Sequence, residues 1–145
     1  SFPTRRSSDL GMSEKFFEKH LDKVEWYTLS TNKGISEEFF ERYIDKVKWF
    51  HLSRNNGLSE EFFEKYIDKV DWIWLSGNKG LSEEFFERYI DKLHWKNLSQ
   101  NEVLSLDFHK KYLGKLNIGS INLHKTVLNK IKRTEYYYFD KLIKR

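Results

Sequence analysis

The chain has 145 residues, 39% of them hydrophobic and 33% charged, and no cysteine. That is one domain's worth of material with enough apolar side chains for a core, and it excludes a disulfide framework or a thiolate metal site. No run of about eighteen apolar residues reads as a membrane span, and the net charge of +4 hides an asymmetry: residues 11–102 carry 18 acidic and 14 basic side chains, residues 103–145 carry 3 and 10.

Residues 1–10, SFPTRRSSDL, resemble the translation of a sequencing-library adapter and are set apart from the fold as an artefact. They lack the apolar stretch of a secretory leader, so an intracellular location is the expectation. Met12 stands where later copies have Ile35, Leu58 and Leu81. It reads as an internal apolar position, with a native N-terminus expected upstream.

From residue 11 the chain repeats itself. Gly11, Gly34, Gly57 and Gly80 are 23 residues apart, which divides the array into units 11–33, 34–56, 57–79 and 80–102. A fifth, degenerate unit spans 103–125. It keeps Leu104, Ser105, Phe108, Tyr112, Leu113 and Leu116 but has Ile118 where the others have Trp. A fixed period of this length marks a solenoid, in which each unit buries its apolar face only against its neighbours.

Within a unit, the first half predicts a helix. In the third copy Ser59 is placed to cap it. Glu60 and Glu61 follow in the first turn, where the helix dipole favours carboxylates; Glu37–Glu38 and Glu83–Glu84 are read the same way. Phe62, Phe63, Tyr66, Ile67 and Val70 form one wide apolar stripe on a helix of about twelve residues. Glu61–Lys65, Glu38–Arg42 and Glu84–Arg88 have the i,i+4 spacing of surface ion pairs.

The second half carries Trp26, Trp49, Trp72 and Trp95, then Leu29, Leu52, Leu75 and Leu98, then Asn32, Asn55, Asn78 and Asn101. This Trp-x-x-Leu-x-x-Asn spacing suits a short α or 3₁₀ turn. Asn and the Gly after it are expected to stop that turn by tolerating positive φ. The same words also fit the strand segment of a leucine-rich repeat. In that α/β horseshoe Tyr27, Phe50, Ile73 and Lys96 would point inward and the four Trp would face water. Comparing copies favours two-helix units, because Lys96 is a poor core residue and a repeated Trp a poor surface one.

The words DKVDW, LS and N, followed by EEFFERYIDK, resemble tandem helical repeats in uncharacterised proteins of large DNA viruses and environmental sequences. The likeness covers residues 11–102. It implies an all-α solenoid with no assigned activity and no catalytic residues to carry over.

No catalytic constellation emerges from the residues, so no enzyme activity, cofactor or metal site is expected. His20, His51, His94, His109 and His124 fall at unrelated repeat positions, and no Gly-rich phosphate loop occurs. The repeated Trp could serve as an aromatic platform, but a constant repeat position reads first as core. Four columns vary while the frame stays fixed: Glu25, Lys48, Asp71, His94; Tyr27, Phe50, Ile73, Lys96; Thr28, His51, Trp74, Asn97; and Thr31, Arg54, Gly77, Gln100. Such columns face solvent and in solenoids line the surface that meets a partner. Here they would form a strip on the order of 30 Å long.

The expected partner face comprises Tyr27, Thr28, Lys48, Phe50, His51, Asp71, Ile73, Trp74, His94 and Lys96, with another protein as partner and the chain itself a monomer; an idle surface is the competing reading. The tail, residues 126–145, is read as a basic capping segment over the end of the stack. Its alternative is nucleic-acid binding by electrostatics through Lys110, Lys111, Lys125, Lys130, Lys132 and Arg133.

Overall fold

A computed structural model of the chain describes residues 13–112 and 115. The expectations for the adapter-like segment, Met12, the later part of the fifth unit and the basic capping segment lie outside the described residues. Within them the chain is an all-α repeat solenoid. The order is α1 (Glu14–Glu18), a 3₁₀ turn (Leu21–Lys23), α2 (Trp26–Ser30), α3 (Glu37–Arg42), α4 (Trp49–Leu52), α5 (Glu60–Lys65), α6 (Trp72–Leu75), α7 (Glu83–Arg88), α8 (Trp95–Leu98) and α9 (Leu106–Lys111). No strand occurs among the described residues. The leucine-rich horseshoe is thereby ruled out, and Tyr27, Phe50 and Ile73 stand in solvent rather than pointing inward.

The first helix of units two to five starts as the sequence predicts, whereas Ser13 holds the same position in the first unit without a side-chain cap bond. The hydroxyls of Ser36, Ser59, Ser82 and Ser105 accept from the backbone N–H three residues on, at 3.1–3.2 Å. The helix ends sooner than the apolar stripe suggests. It covers six residues in α3, α5, α7 and α9 and breaks at Tyr43, Tyr66, Tyr89 and Tyr112, each with φ between −109° and −118°. A single turn then closes from the Lys N–H to the Tyr carbonyl, as in Lys69 to Tyr66 at 2.8 Å. Packing decides this. Continuing a helix is worth a few tenths of a kcal/mol per residue, whereas burying an aromatic ring is worth about 1.5–3 kcal/mol. The break turns each Tyr ring onto the Trp of the preceding unit: Trp26–Tyr43, Trp49–Tyr66, Trp72–Tyr89 and Trp95–Tyr112 lie 5.4–5.8 Å apart.

The core is a stack of identical layers. Leu58, Phe62, Phe63, Val70 and Leu75 are buried in the third unit, as are their equivalents Leu81, Phe85, Phe86, Leu93 and Leu98 in the fourth. The repeated Trp are half-buried and packed against this cluster. In the fifth unit His109 takes the place of Phe86 and is buried, its Nδ1 at 2.7 Å from the Ser105 carbonyl in donor geometry.

Three polar contacts recur at the junctions among the first four units, and two of them replace sequence expectations. First, the asparagines do more than end a turn. Asn55 Nδ2 donates to the carbonyls of Ser30 and Asn32, and Asn78 Nδ2 to those of Ser53 and Asn55, at 3.0–3.3 Å. Their Oδ1 atoms accept from Gly57 and Gly80 N–H. Second, the leading glutamates reach beyond their own helix dipole. Glu14, Glu37, Glu60 and Glu83 accept from the backbone N–H of Ser36, Ser59, Ser82 and Ser105 in the following unit. Third, the buried hydroxyls of Ser30, Ser53 and Ser76 accept from the N–H of Lys48, Asp71 and His94.

The i,i+4 ion pairs are likewise replaced by pairs between units. Arg42 meets Glu18 and Glu14, Lys65 meets Glu41, Arg88 meets Glu64 and Glu60, and Lys111 meets Glu87. A short helix leaves the carboxylate of the unit before closer than the one a turn away.

Nor does the repeated Gly adopt left-handed backbone at Gly57 or Gly80. Close approach explains it instead: a Cβ on Gly80 would lie 2.8 Å from the Asn56 carbonyl oxygen, and one on Gly57 3.0 Å from Lys33 Cβ.

Asn78→Ala leaves two carbonyls and one N–H without partners in a dry junction. It is expected to cost at least about 2 kcal/mol, seen as a lowered urea midpoint. Gly80→Ala should destabilise by about 1–3 kcal/mol as the neighbouring turn is pushed away. Gly77→Ala, whose added Cβ finds ordinary contacts at 3.6 and 3.8 Å, should change stability by no more than about 0.5 kcal/mol.

Candidate functional site

The short helices α2, α4, α6 and α8 lie in register and present the variable columns along one face. Tyr27, Phe50 and Ile73 are 52%, 44% and 49% exposed, against near-complete burial of the neighbouring Leu29, Leu52 and Leu75. Thr28, Lys48 and Lys96 are also exposed, while His51 and Trp74 are half-buried.

Contacts along this face run diagonally from one unit to the next. The Tyr27 ring lies 6.0 Å from His51 of the second unit. Phe50 sits 4.9 Å from His51 and packs edge-on against Trp74 of the third unit at 4.8 Å. The Arg54 guanidinium lies over the Trp74 ring at 4.3 Å, within the range of a cation–π contact. Asn97 Nδ2 donates to the Ile73 carbonyl at 2.6 Å. Tyr27, His51, Phe50 and Trp74 therefore form one connected apolar strip crossing three units.

The column beginning at Glu25 behaves differently. Its residues occupy the N-cap positions of α2, α4, α6 and α8. Asp71 spends its carboxylate on the N–H groups of Ile73 and Trp74 at 3.0 and 3.3 Å. His94 holds its Nδ1 buried, without a hydrogen-bond partner among the described residues. Of this column's predicted site residues, only Lys48 is exposed; Asp71 and His94 are half-buried.

Beside the strip a groove of about 670 Å³ opens across units two to four, lined by Arg54, Asn56, Trp74, Gly77 and Gln100 among others. Lys79 and Glu102 also line it and form an ion pair at 3.2 Å. Arg54, Gly77 and Gln100 belong to a column whose variability the sequence displays. Asn56 lies in a further column that also varies, Lys33, Asn56, Lys79 and Glu102, which is not among the four columns read as the partner face.

On the first helix of each unit, charge is used for cohesion. Glu60 is pushed up by partial burial, but the Ser82 N–H and hydroxyl and the Arg88 guanidinium outweigh this and hold it below the ordinary carboxylate value. Lys111 is raised by its hydrogen bond to Glu87, so this member of the basic set predicted for nucleic acid is engaged within the fold. Lys110 is exposed. Lys125, Lys130, Lys132 and Arg133 lie outside the described residues.

Among the described residues no three His, Asp or Glu side chains gather as metal ligands, and no helix is long and apolar enough to cross a membrane. No protein-family model matches the chain, and neither a curated protein nor a solved structure matches it.

Glu60 links the fold to pH. A carboxylate whose folded pKa is depressed adds stability above its ordinary value of 4.5 and loses it as pH falls through the folded value. Glu60→Gln should be less stable than the parent at pH 7, with the difference shrinking below about pH 4.5. Urea midpoints at several pH values measure this.

Proposed function

We propose that the protein is a non-enzymatic repeat scaffold whose short-helix face binds another protein. The observation that carries the reading is the exposure of Tyr27, Phe50 and Ile73 along one strip that His51 and Trp74 complete on a packed frame. Leaving apolar side chains exposed to water is unfavourable, so covering them with a partner surface is a gain. Rigid aromatic anchors of this kind dominate protein interfaces because they bring large area at small entropic cost. The frame beneath is held by buried asparagines and phenylalanines, so the strip would meet a partner without first being ordered. That removes much of the usual penalty on association.

The proposed anchors are Tyr27, Phe50, Ile73 and Trp74, with His51 bridging Tyr27 to Phe50. Thr28, Lys48 and Lys96 would form the polar rim. Such a rim shapes association rate and specificity more than affinity.

Phe50→Ala with Trp74→Ala tests the reading. Both side chains sit on the face rather than in the layered core, so far-ultraviolet circular dichroism should show unchanged helicity. Capture of partners from a lysate of the source cells should fall at least about tenfold. Unchanged capture by the double variant would refute a binding role for this face.

A further inference from the structure

The groove beside the strip has a particular origin. Its column reads Thr31, Arg54, Gly77, Gln100, so a side chain is missing only in the third unit. Gly77 is not required there by the backbone. It has no left-handed φ, and an added Cβ would make contacts of 3.6 Å with the Trp74 carbonyl and 3.8 Å with Asn97 Cβ. The gap is therefore space the fold could fill and leaves open.

Arg54 stands at its edge. The other described arginines, Arg42 and Arg88, each meet carboxylates of the preceding unit. Arg54 has no carboxylate partner among the described residues and is held by its stacking on Trp74. A stacked guanidinium keeps its N–H fork free and oriented, which suits bidentate binding of a carboxylate. Around it the side-chain amides of Asn56 and Gln100 and the indole N–H of Trp74 form no hydrogen bonds within the described residues. These are the groups that would satisfy the N–H and C=O of an extended backbone. Meanwhile Arg54 and Phe50 both pack on the Trp74 ring.

We propose that this groove receives an acidic, extended peptide segment of a partner protein, its carboxylate on the Arg54 guanidinium and its apolar side chains on Phe50 and Ile73. The inference rests on reading the strip as a protein-binding face. An extended polyproline-type segment advances about 9 Å per turn of three residues. That is close to the 8–10 Å separation of packed helices. One apolar side chain in three could thus meet one unit after another.

Panning a displayed library of random dodecapeptides on the full chain tests this. The parent should enrich peptides with Asp or Glu at one position and apolar residues or Pro three residues away. In fluorescence anisotropy the best selected peptide should bind about ten- to a hundredfold more weakly to Arg54→Gln. Gly77→Gln, which places in the groove the residue that the next unit carries there, should abolish binding while thermal melting stays unchanged. Panning on Arg54→Glu should shift the preference to Lys or Arg. Peptides that depend on Phe50 and Trp74 but show no acid preference and ignore Arg54→Gln would overturn the carboxylate pocket while leaving the strip as a binding face. Displacement of the peptide by inorganic phosphate but not by acetate, or selection of no peptide at all, would also overturn it. Capture by the Phe50, Trp74 double variant judges the strip separately.

Discussion

A helix of six residues does not hold itself together in water. Forming its first turn fixes several dihedrals for one hydrogen bond, and isolated helices shorter than about twelve residues are marginal. Every described helix in this chain is that short or shorter. Each unit is therefore stable only as a layer between two others, and contact between units is the constraint from which the rest follows. It explains why Phe39, Phe40, Phe63, Phe85 and Phe86 are fully buried although no single unit has an interior.

Apolar layers alone would leave the stack free to slide. Rings and leucines tolerate small shifts, whereas a buried carboxamide does not. Asn55 and Asn78 each span from two carbonyls of the unit before to an N–H of their own turn. Any slip would strand several polar groups in a dry environment. The leading glutamates add a second clamp by accepting from the Ser N–H of the next unit. Register is thus fixed by polar contacts, and cohesion comes from the aromatic layers.

That division leaves the outer side of the short helices with little structural duty beyond a few contacts such as Asn97 to the Ile73 carbonyl. The Leu, Ser and Asn positions of each short segment are committed inward, so the residues between them can change without disturbing the frame. Tyr27, Phe50, Ile73, Arg54 and Gly77 occupy such positions. Their chemistry is available for recognition, and it differs from unit to unit, giving one scaffold a particular pattern of anchors, charges and gaps.

The sequence by itself determined the period, the unit boundaries, the helical class and the capping serines. Each of these is a local or repeating property: Ser59 caps Phe62 across three residues, and four copies of one pattern must fold alike. It also marked which columns face outward, because Lys96 shares a column with Tyr27, Phe50 and Ile73, and a cation does not belong in a core. Tertiary structure decided the rest. The break at Tyr66, the partner of Lys65, the span of Asn78 and the need for Gly80 all depend on atoms about 23 residues away, in the neighbouring unit. So does the groove at Gly77, which exists only once Arg54, Trp74 and Gln100 from three successive units are brought side by side. Local preference is worth tenths of a kcal/mol per residue, and it yields wherever a ring or a buried amide gains more by reaching across the junction.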